Sequence, residues 1–357
     1  MLDQKTSQRI TVLGFLMTCM IVIFHTEVVW DPINAADAAI VESLDHLISM
    51  GSTLAMDYFF LVTGLLLFHA LSFQNYHKKI KSRIGSLLIP YVIWQLLTVI
   101  YLIYRGEQWT VLKFLRTSFL FDWPADGPLW YVYAVFLMSL LAPLQLLLFQ
   151  NAKAGFWGTA AFTIGIVPLL GRIPLVNQIT EHGYLGLVIR YLPSYLMGTF
   201  YGFYCSTERK PEDIRYYVYI LMLAFLADGI FAGSTDRIIH AGAPLLLLYF
   251  FPVTEKMGSS RIYHWSFLLY AAHVPMMAFV QGKAMEYISR FFSWSSLISI
   301  TCRISCLAVM MTAVGILYEV LKRFAPGVLG LLTGGRGLRS QNIGAAHTAA
   351  EDGTRRN

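Results

Sequence analysis

Apolar segments of about 20 residues, separated by short polar breaks, follow one another along most of this chain. A helix of that length crosses the roughly 30 Å hydrocarbon core of a bilayer. With 56% hydrophobic and only 13% charged residues, the chain has about half the charge of an average soluble protein. The sequence therefore predicts an all-α, polytopic membrane helix bundle of about ten transmembrane helices. The ten segments are 10–30, 48–73, 86–104, 128–149, 156–172, 185–205, 216–233, 238–254, 264–282 and 296–321.

This composition excludes three classes of protein: a soluble enzyme with a membrane tail, a disordered scaffold, and a nucleic-acid binder whose net charge of +6 would form its working surface. The four cysteines lie in or beside apolar segments and have no CxxC spacing. That pattern argues against a disulfide framework and against a zinc site. We expect no bound metal and no nucleic-acid partner.

Basic residues are unequally divided between alternate loops. If the N-terminus is cytoplasmic, the inside segments carry eighteen Lys and Arg residues and the outside loops carry seven. The positive-inside rule then predicts that both termini are cytoplasmic. Residues 324–357 are rich in Gly, Ala, Thr and Arg without an apolar period, so we expect a flexible cytoplasmic tail after a membrane domain of residues 1–323.

Ionisable side chains within apolar segments are costly, so each is a candidate functional residue. His25 is expected in the outer half of the membrane, two residues before Glu27, and such an imidazole suits proton transfer near neutral pH. Asp57 is a candidate partner for this imidazole. A purely structural buried pair between Asp57 and Arg303 is the alternative. The remaining members of the set are Arg190, Asp228, His240, His273 and Glu319.

A basic run, HKKIKSR at 77–83, immediately precedes the third apolar segment. It serves as a positive-inside anchor. Several cations at the start of a helix also combine charge with free backbone N–H donors, which together suit a phosphate group. We therefore expect Arg83, Lys81 and Lys79 to form a phosphate site on the cytoplasmic side.

Five segments resemble, in order and spacing, motifs of the acyltransferase family 3 integral membrane proteins, which are bacterial transferases with about ten helices. The resemblance covers the membrane domain and not the tail. Two positions depart from it, since Gly14 and Ser86 stand where the family usually has arginine. Either Lys79, Lys81 or Arg9 would replace those cations, or the protein would bind the donor weakly. The five segments are RITVLGFLMTCMIVIFH at 9–25, DYFFLVTGLLL at 57–67, RIGSLLIPY at 83–91, GPLWY at 127–131 and SFLLYAAHVP at 266–275.

The resemblance implies an acyltransferase, most specifically an O-acetyltransferase, in the bacterial cytoplasmic membrane. It implies that acyl-coenzyme A, with acetyl-coenzyme A the first choice, is a co-substrate and that no cofactor is resident. The acceptor it implies is a hydroxyl of a cell-surface glycan or of its lipid-linked precursor, so that the protein would act in polysaccharide modification. In such a protein Arg83 would grip donor phosphates, and His25 would be the catalytic histidine, with Glu27 or Asp57 orienting it.

The resemblance leaves some assignments open. Trp130 and Tyr131 are expected to form an aromatic wall for the acceptor, and His273 and Arg303 are expected in supporting roles. The alternative function is an inactive or repurposed family member that acts as a small-solute exporter or permease. The sequence does not decide between an acyl-enzyme intermediate and direct transfer, and it does not fix the oligomeric state.

Overall fold

The structure is a computed structural model that describes residues 3–26, 34–166, 183–205, 242–254, 260–277 and 295–336, together with a few isolated positions. Within these ranges the chain is helical and contains no strand, which confirms the predicted all-α membrane bundle. Four of the described helices are long and apolar enough to cross a membrane, and a bent pair, Gly127–Leu140 with Ala142–Leu148, makes up to five. Glu27, Asp228 and His240 lie outside the described residues.

The described helices are numbered in chain order, and two π-helical segments, Ile84–Leu88 and Ala161–Ile166, extend α3 and α8. The α-helices are α1 (Gln4–His25), α2 (Ala35–Phe68), α3 (Tyr76–Arg83), α4 (Ile89–Tyr104), α5 (Val111–Phe119), α6 (Trp130–Leu140), α7 (Ala142–Leu148), α8 (Ala152–Ala160), α9 (Leu185–Cys205), α10 (Ala243–Phe250), α11 (266–277), α12 (Ser296–Phe324) and α13 (Pro326–Thr333).

Helix α2 begins well before the apolar segment predicted at 48–73. The side chain of Asn34 caps it by accepting a hydrogen bond of 2.9 Å from the N–H of Asp37. Four of the first five residues of α2 are alanines, which have the highest helix propensity. The expected outer loop is therefore helical from Ala35 onward, because its residues are good helix formers although they are not apolar enough to be identified as a membrane segment.

The third apolar segment also starts later than its helix. Helix α3, the π-helical segment and α4 follow without a break, so Arg83 lies in the last turn of α3 and the next N–H, of Ile84, is already bonded to Ile80 and Lys81 carbonyls. The prediction that Arg83 stands at a helix N-terminus with free backbone donors is wrong. Pro90 explains why the helix is π-helical at Ile84–Leu88: proline has no N–H to donate to the carbonyl oxygen four residues earlier, so the regular α-helical bonding is interrupted.

Helices α2 and α9 pack closely and run in the same direction. A Cβ atom added to Gly198 would lie 2.0 Å from the Leu61 carbonyl oxygen, and one added to Gly202 would lie 2.4 Å from the Leu65 oxygen. Glycines at this spacing let two membrane helices approach through their backbones. This contact fixes the position of α2, which forms one wall of the site described below.

The chain between α5 and α6 enters the bundle as irregular backbone. The Tyr91 hydroxyl donates to the Ser118 carbonyl oxygen at 2.6 Å. The Gln95 side-chain amide both donates to and accepts from the backbone of Asp126, at 3.3 and 3.1 Å. The Tyr270 hydroxyl donates to the Pro128 carbonyl oxygen. Non-helical backbone is stable at membrane depth only when protein groups satisfy it in this way, and α6 consequently starts inside the bundle.

The first part of the segment expected to be a flexible tail belongs to the bundle instead. After α12, helix α13 packs against α4, and the Trp94 indole N–H donates to the Leu332 carbonyl oxygen at 3.0 Å. The chain then turns at Gly334, whose φ of +64° lies in the left-handed region. Residues 337–357 lie outside the described residues.

Candidate active site

A cavity of about 360 Å³ lies between α1, α2, α6 and α11. Its size falls in the lower part of the range of about 300–1,000 Å³ that is typical of small-molecule sites. Helix α1 contributes Ile10, Gly14 and Thr18, which share one helical face because they are spaced by four residues. A Cβ atom added to Gly14 would have no neighbour within 4 Å, so the glycine keeps this wall open.

Aromatic side chains form the opposite wall. Tyr131, at the start of α6, has its ring centroid 6.3 Å from that of Tyr270 on α11 and 5.9 Å from that of Phe59 on α2. The Tyr131 hydroxyl donates to the Phe59 carbonyl oxygen at 3.0 Å and lies 2.6 Å from the Thr63 hydroxyl. The neighbouring Trp130 points elsewhere, since it packs against Phe60, Tyr184 and Tyr191 in the core and does not line the cavity.

Two imidazoles lie beyond one end of the cavity. His25 is the last residue of α1, and its ring centroid is 5.0 Å from that of His273 on α11. Helices α1 and α11 run in the same direction, so residues far apart in the sequence meet here. His25 lies seven residues beyond the cavity residue Thr18, which corresponds to about 10 Å along the helix. Tyr270 connects the two regions, because it lines the cavity and its carbonyl oxygen contacts His273.

The hydrogen bonds of these imidazoles fix their tautomers. His25 Nδ1 lies 2.8 Å from the Ile21 carbonyl oxygen, and His273 Nδ1 lies 2.5 Å from the Tyr270 carbonyl oxygen. A carbonyl oxygen can only accept, so Nδ1 is the donor in each ring and, in the neutral form, Nε2 carries the lone pair. His273 is fully buried, whereas His25 is partly exposed. His25 is therefore the more accessible of the two imidazoles.

The cavity has one formally charged lining residue among those that the structure describes, and it is Arg336. Its guanidinium lies 4.2 Å from the centroid of the Phe267 ring, and Nη1 donates to the Thr333 carbonyl oxygen at 3.1 Å. Burial lowers the pKa of Arg336 to about 10, with Tyr131 opposing the shift and the charge of Arg83 adding to it. The side chain is thus a cation at neutral pH.

The three cations predicted to form a phosphate site do not line the cavity together. Arg83 stands behind the cavity wall, where Nη2 donates to the Thr63 carbonyl oxygen at 3.3 Å and Nη1 is buried with no hydrogen-bond partner among the described residues. Lys81 is exposed, Lys79 is partly exposed, and neither lines the cavity. Arg9 donates from Nε to the Phe251 carbonyl oxygen at 2.9 Å.

The other predicted residues have separate surroundings. Asp57 is fully buried at the contact of α2 with α9, where its Oδ1 accepts a hydrogen bond of 2.6 Å from the Ser194 hydroxyl. Arg303 forms its ion pair with Asp45, at 2.6 Å, near the start of α2. The structure therefore assigns Arg303 to the link between α12 and α2 and not to the cavity.

Two residues near the cavity have no counterpart among the predicted site residues. Arg336 lies in the Gly-rich segment assigned to the tail, and nothing in its local pattern indicates a fold-back into the bundle. Asp126, in the loop before α6, is fully buried, and both carboxyl oxygens lack hydrogen-bond partners among the described residues. Burial raises the pKa of Asp126 well above its ordinary value. The one sequence feature that could have indicated Asp126 is its position immediately before Gly127 and Pro128.

A family model described as an acyltransferase domain matches residues 9–320 of this chain. That range contains both imidazoles and the walls of the cavity on α1, α2, α6 and α11, and it ends before Arg336. Comparisons with curated proteins and with solved structures find no significant match.

Proposed function

The chain belongs to acyltransferase family 3, and from this membership we propose that it moves an acetyl or other short acyl group from acyl-coenzyme A to a hydroxyl of a cell-surface glycan or of its lipid-linked precursor. The observation that carries the proposal is the pair of imidazoles with fixed tautomers, His25 and His273, beyond one end of a cavity. Among the described residues, the one charged residue that lines this cavity is a cation. That cation suits donor phosphates, and the imidazoles suit proton transfer.

The proposed chemistry follows from the tautomer of His25. Nε2 of the neutral ring takes the proton of the acceptor hydroxyl as the oxygen attacks the thioester carbonyl carbon. The tetrahedral intermediate then collapses, the carbon–sulfur bond breaks, and the coenzyme A thiolate takes the proton back from His25 Nε2, so that the ring is neutral again. Nδ1–H stays bonded to the Ile21 carbonyl oxygen throughout, so it stabilises the imidazolium that forms. His273, buried beside it, positions the ring and touches no substrate in this scheme.

We also propose the predicted topology, with ten transmembrane helices and both termini in the cytoplasm of a bacterial cell, so that the protein is a multi-pass inner-membrane enzyme. In this orientation the Arg336 end of the cavity faces the cytoplasm, where acyl-coenzyme A is found, and His25 lies toward the outside, where the acceptor is modified. The basic asymmetry of the loops supports this arrangement.

Surface glycans give the direct test. Glycans from cells that carry the protein, the His25→Ala variant or no protein are compared by mass, with His77→Ala as the control because His77 is an exposed histidine on α3. We expect acylated species with the parent and the control only. If the parent and the empty cells give identical glycans, the proposed acceptor is wrong. Transport of a small solute by a purified parent that fails to bind acyl-coenzyme A would favour the exporter.

A further inference from the structure

The segment that carries Arg336 is held in place by an unusually close backbone contact. A Cβ atom added to Gly334 would lie 2.4 Å from the Ser86 carbonyl oxygen and 2.7 Å from the Ser86 Cα atom, so only glycine fits there. The left-handed φ of Gly334 also favours glycine. Thr333 adds a further link, because its hydroxyl bonds to the carbonyl oxygens of Leu329 and Arg336, at 2.7 and 3.2 Å.

This contact holds the segment so that Arg336 lines the cavity, but it brings no anionic side chain to the guanidinium. Within the part of the chain that the structure describes, no carboxylate lies within ion-pair distance of Arg336 or Arg83. A guanidinium has five N–H donors, and a single hydrogen bond of the Arg336 guanidinium, to the Thr333 carbonyl oxygen, is found among the described residues. A partly desolvated cation with unused donors, stacked on Phe267, is suited to bind an anionic group from outside the protein.

Gly14 and Ser86 are the two positions at which the family usually has arginine. Gly14, whose position has open space around it, lines the same cavity as Arg336. Ser86 lies directly under Gly334, so a long side chain there would have to share space with the C-terminal segment. Gly14 therefore shares a cavity with Arg336, and Ser86 contacts the C-terminal segment that carries Arg336.

We propose that Arg336 binds a phosphate group of the acyl donor, and that residues 325–336 are consequently a part of the donor site outside the matched acyltransferase domain. This inference rests on the proposed function, since it assumes a phosphate-bearing donor. Arg83 has a different role: it lies behind the wall and positions Thr63 and Tyr131 through the Thr63 carbonyl oxygen.

The test measures the affinity of the full-length protein, in nanodiscs of zwitterionic lipid, for acetyl-coenzyme A and for acetyl-pantetheine, which lacks phosphates. Arg336→Gln should weaken binding of acetyl-coenzyme A by about 10-fold to 100-fold, as expected for the loss of a charge-assisted contact, and leave acetyl-pantetheine nearly unchanged. Arg323→Gln is the matched control, because Arg323 is exposed at the end of α12. It should change neither affinity.

Several results would overturn the inference. Unchanged acetyl-coenzyme A binding by Arg336→Gln would do so, and so would an equal loss for both ligands, which would indicate a structural role. If the parent retains phosphatidylglycerol through purification and Arg336→Gln does not, while the coenzyme A affinity is unchanged, the cation binds a lipid headgroup and not the donor. A parent that binds neither thioester would instead refute the proposed function itself.

A charge-relocation variant separates a phosphate contact from a structural one. In Gly14→Arg/Arg336→Gln the cation enters the same cavity from α1, and the open space at position 14 accommodates its first carbon. We expect this double variant to recover at least tenfold of the lost acetyl-coenzyme A affinity, which corresponds to about 1.4 kcal/mol. A double variant that keeps the parent's melting temperature but recovers nothing would count against the proposal.

Discussion

Replacing His25 by alanine should separate chemistry from donor binding. A positioned general base contributes about 10²–10⁴-fold to a rate, so we expect kcat for acyl transfer to fall by that factor. His25 lies beyond the cavity that Arg336 lines: from Gly14, in the cavity wall, to His25 the helix rises eleven residues, or about 16 Å. The KM for acyl-coenzyme A should therefore change less than about threefold, because no phosphate contact is near the substitution.

The assay is transfer from radiolabelled acetyl-coenzyme A to extracted cell-surface glycan by the purified protein, with the exposed His77→Ala as control. The fold should survive, because His25 is partly exposed and its ring contact with His273 contributes about 0.5–1.5 kcal/mol at most. A kcat within about tenfold of the parent's would refute the general-base role. A large rise in the donor KM at unchanged kcat would refute the separation of the two ends.

Three further perturbations test the fold and the cavity. Gly198→Ala should cost about 1–3 kcal/mol or more, because the new Cβ atom would meet the Leu61 carbonyl oxygen at 2.0 Å, whereas Gly14→Ala, with open space, should cost little; thermal unfolding in detergent compares them. Asp126→Asn should raise the melting temperature more at pH 8 than at pH 5. The pKa of the Asp126 carboxyl is raised in the folded state, so the parent protein loses stability as the pH rises. A difference in melting temperature that does not depend on pH would contradict this. Gly14→Arg alone should lower the melting temperature without ligand, because two guanidiniums then share the cavity. It should also increase the stabilisation by acetyl-coenzyme A. No change in either quantity would show that position 14 does not face the cation.

The length of apolar segments predicted much of the bundle and little of its detail. Helix α9 has the bounds expected from the sequence, because polar breaks flank a largely apolar run. The start of α2 and all of α3 were missed for a common reason: a search for lipid-soluble segments does not detect polar residues that are good helix formers. Because α3 continues into the π-helical segment, Arg83 is not at a helix N-terminus, and the phosphate site predicted at 77–83 has no free backbone donors there.

The site depended on contacts that no local pattern encodes. His25 and His273 were each recognisable as histidines at membrane depth, but their pairing follows from the parallel packing of α1 and α11. The role of Arg336 requires a left-handed glycine placed against Ser86, far away in the sequence. A Gly-rich basic segment has the composition of a tail, and only the tertiary contact distinguishes it from one.

The distance between the two ends of the site constrains how a donor could use it. Coenzyme A carries its thioester on a narrow pantetheine arm, remote from its phosphates, and a cavity of about 360 Å³ with aromatic walls suits such an arm better than the nucleotide. On the proposed reaction, Arg336 would hold a phosphate at the near end while the thioester passes Tyr131 and Tyr270 toward His25. Acceptor choice would then depend on residues beyond His25 and not on the cavity. Substitutions in the cavity walls should accordingly alter donor affinity, while leaving the set of acylated hydroxyls unchanged.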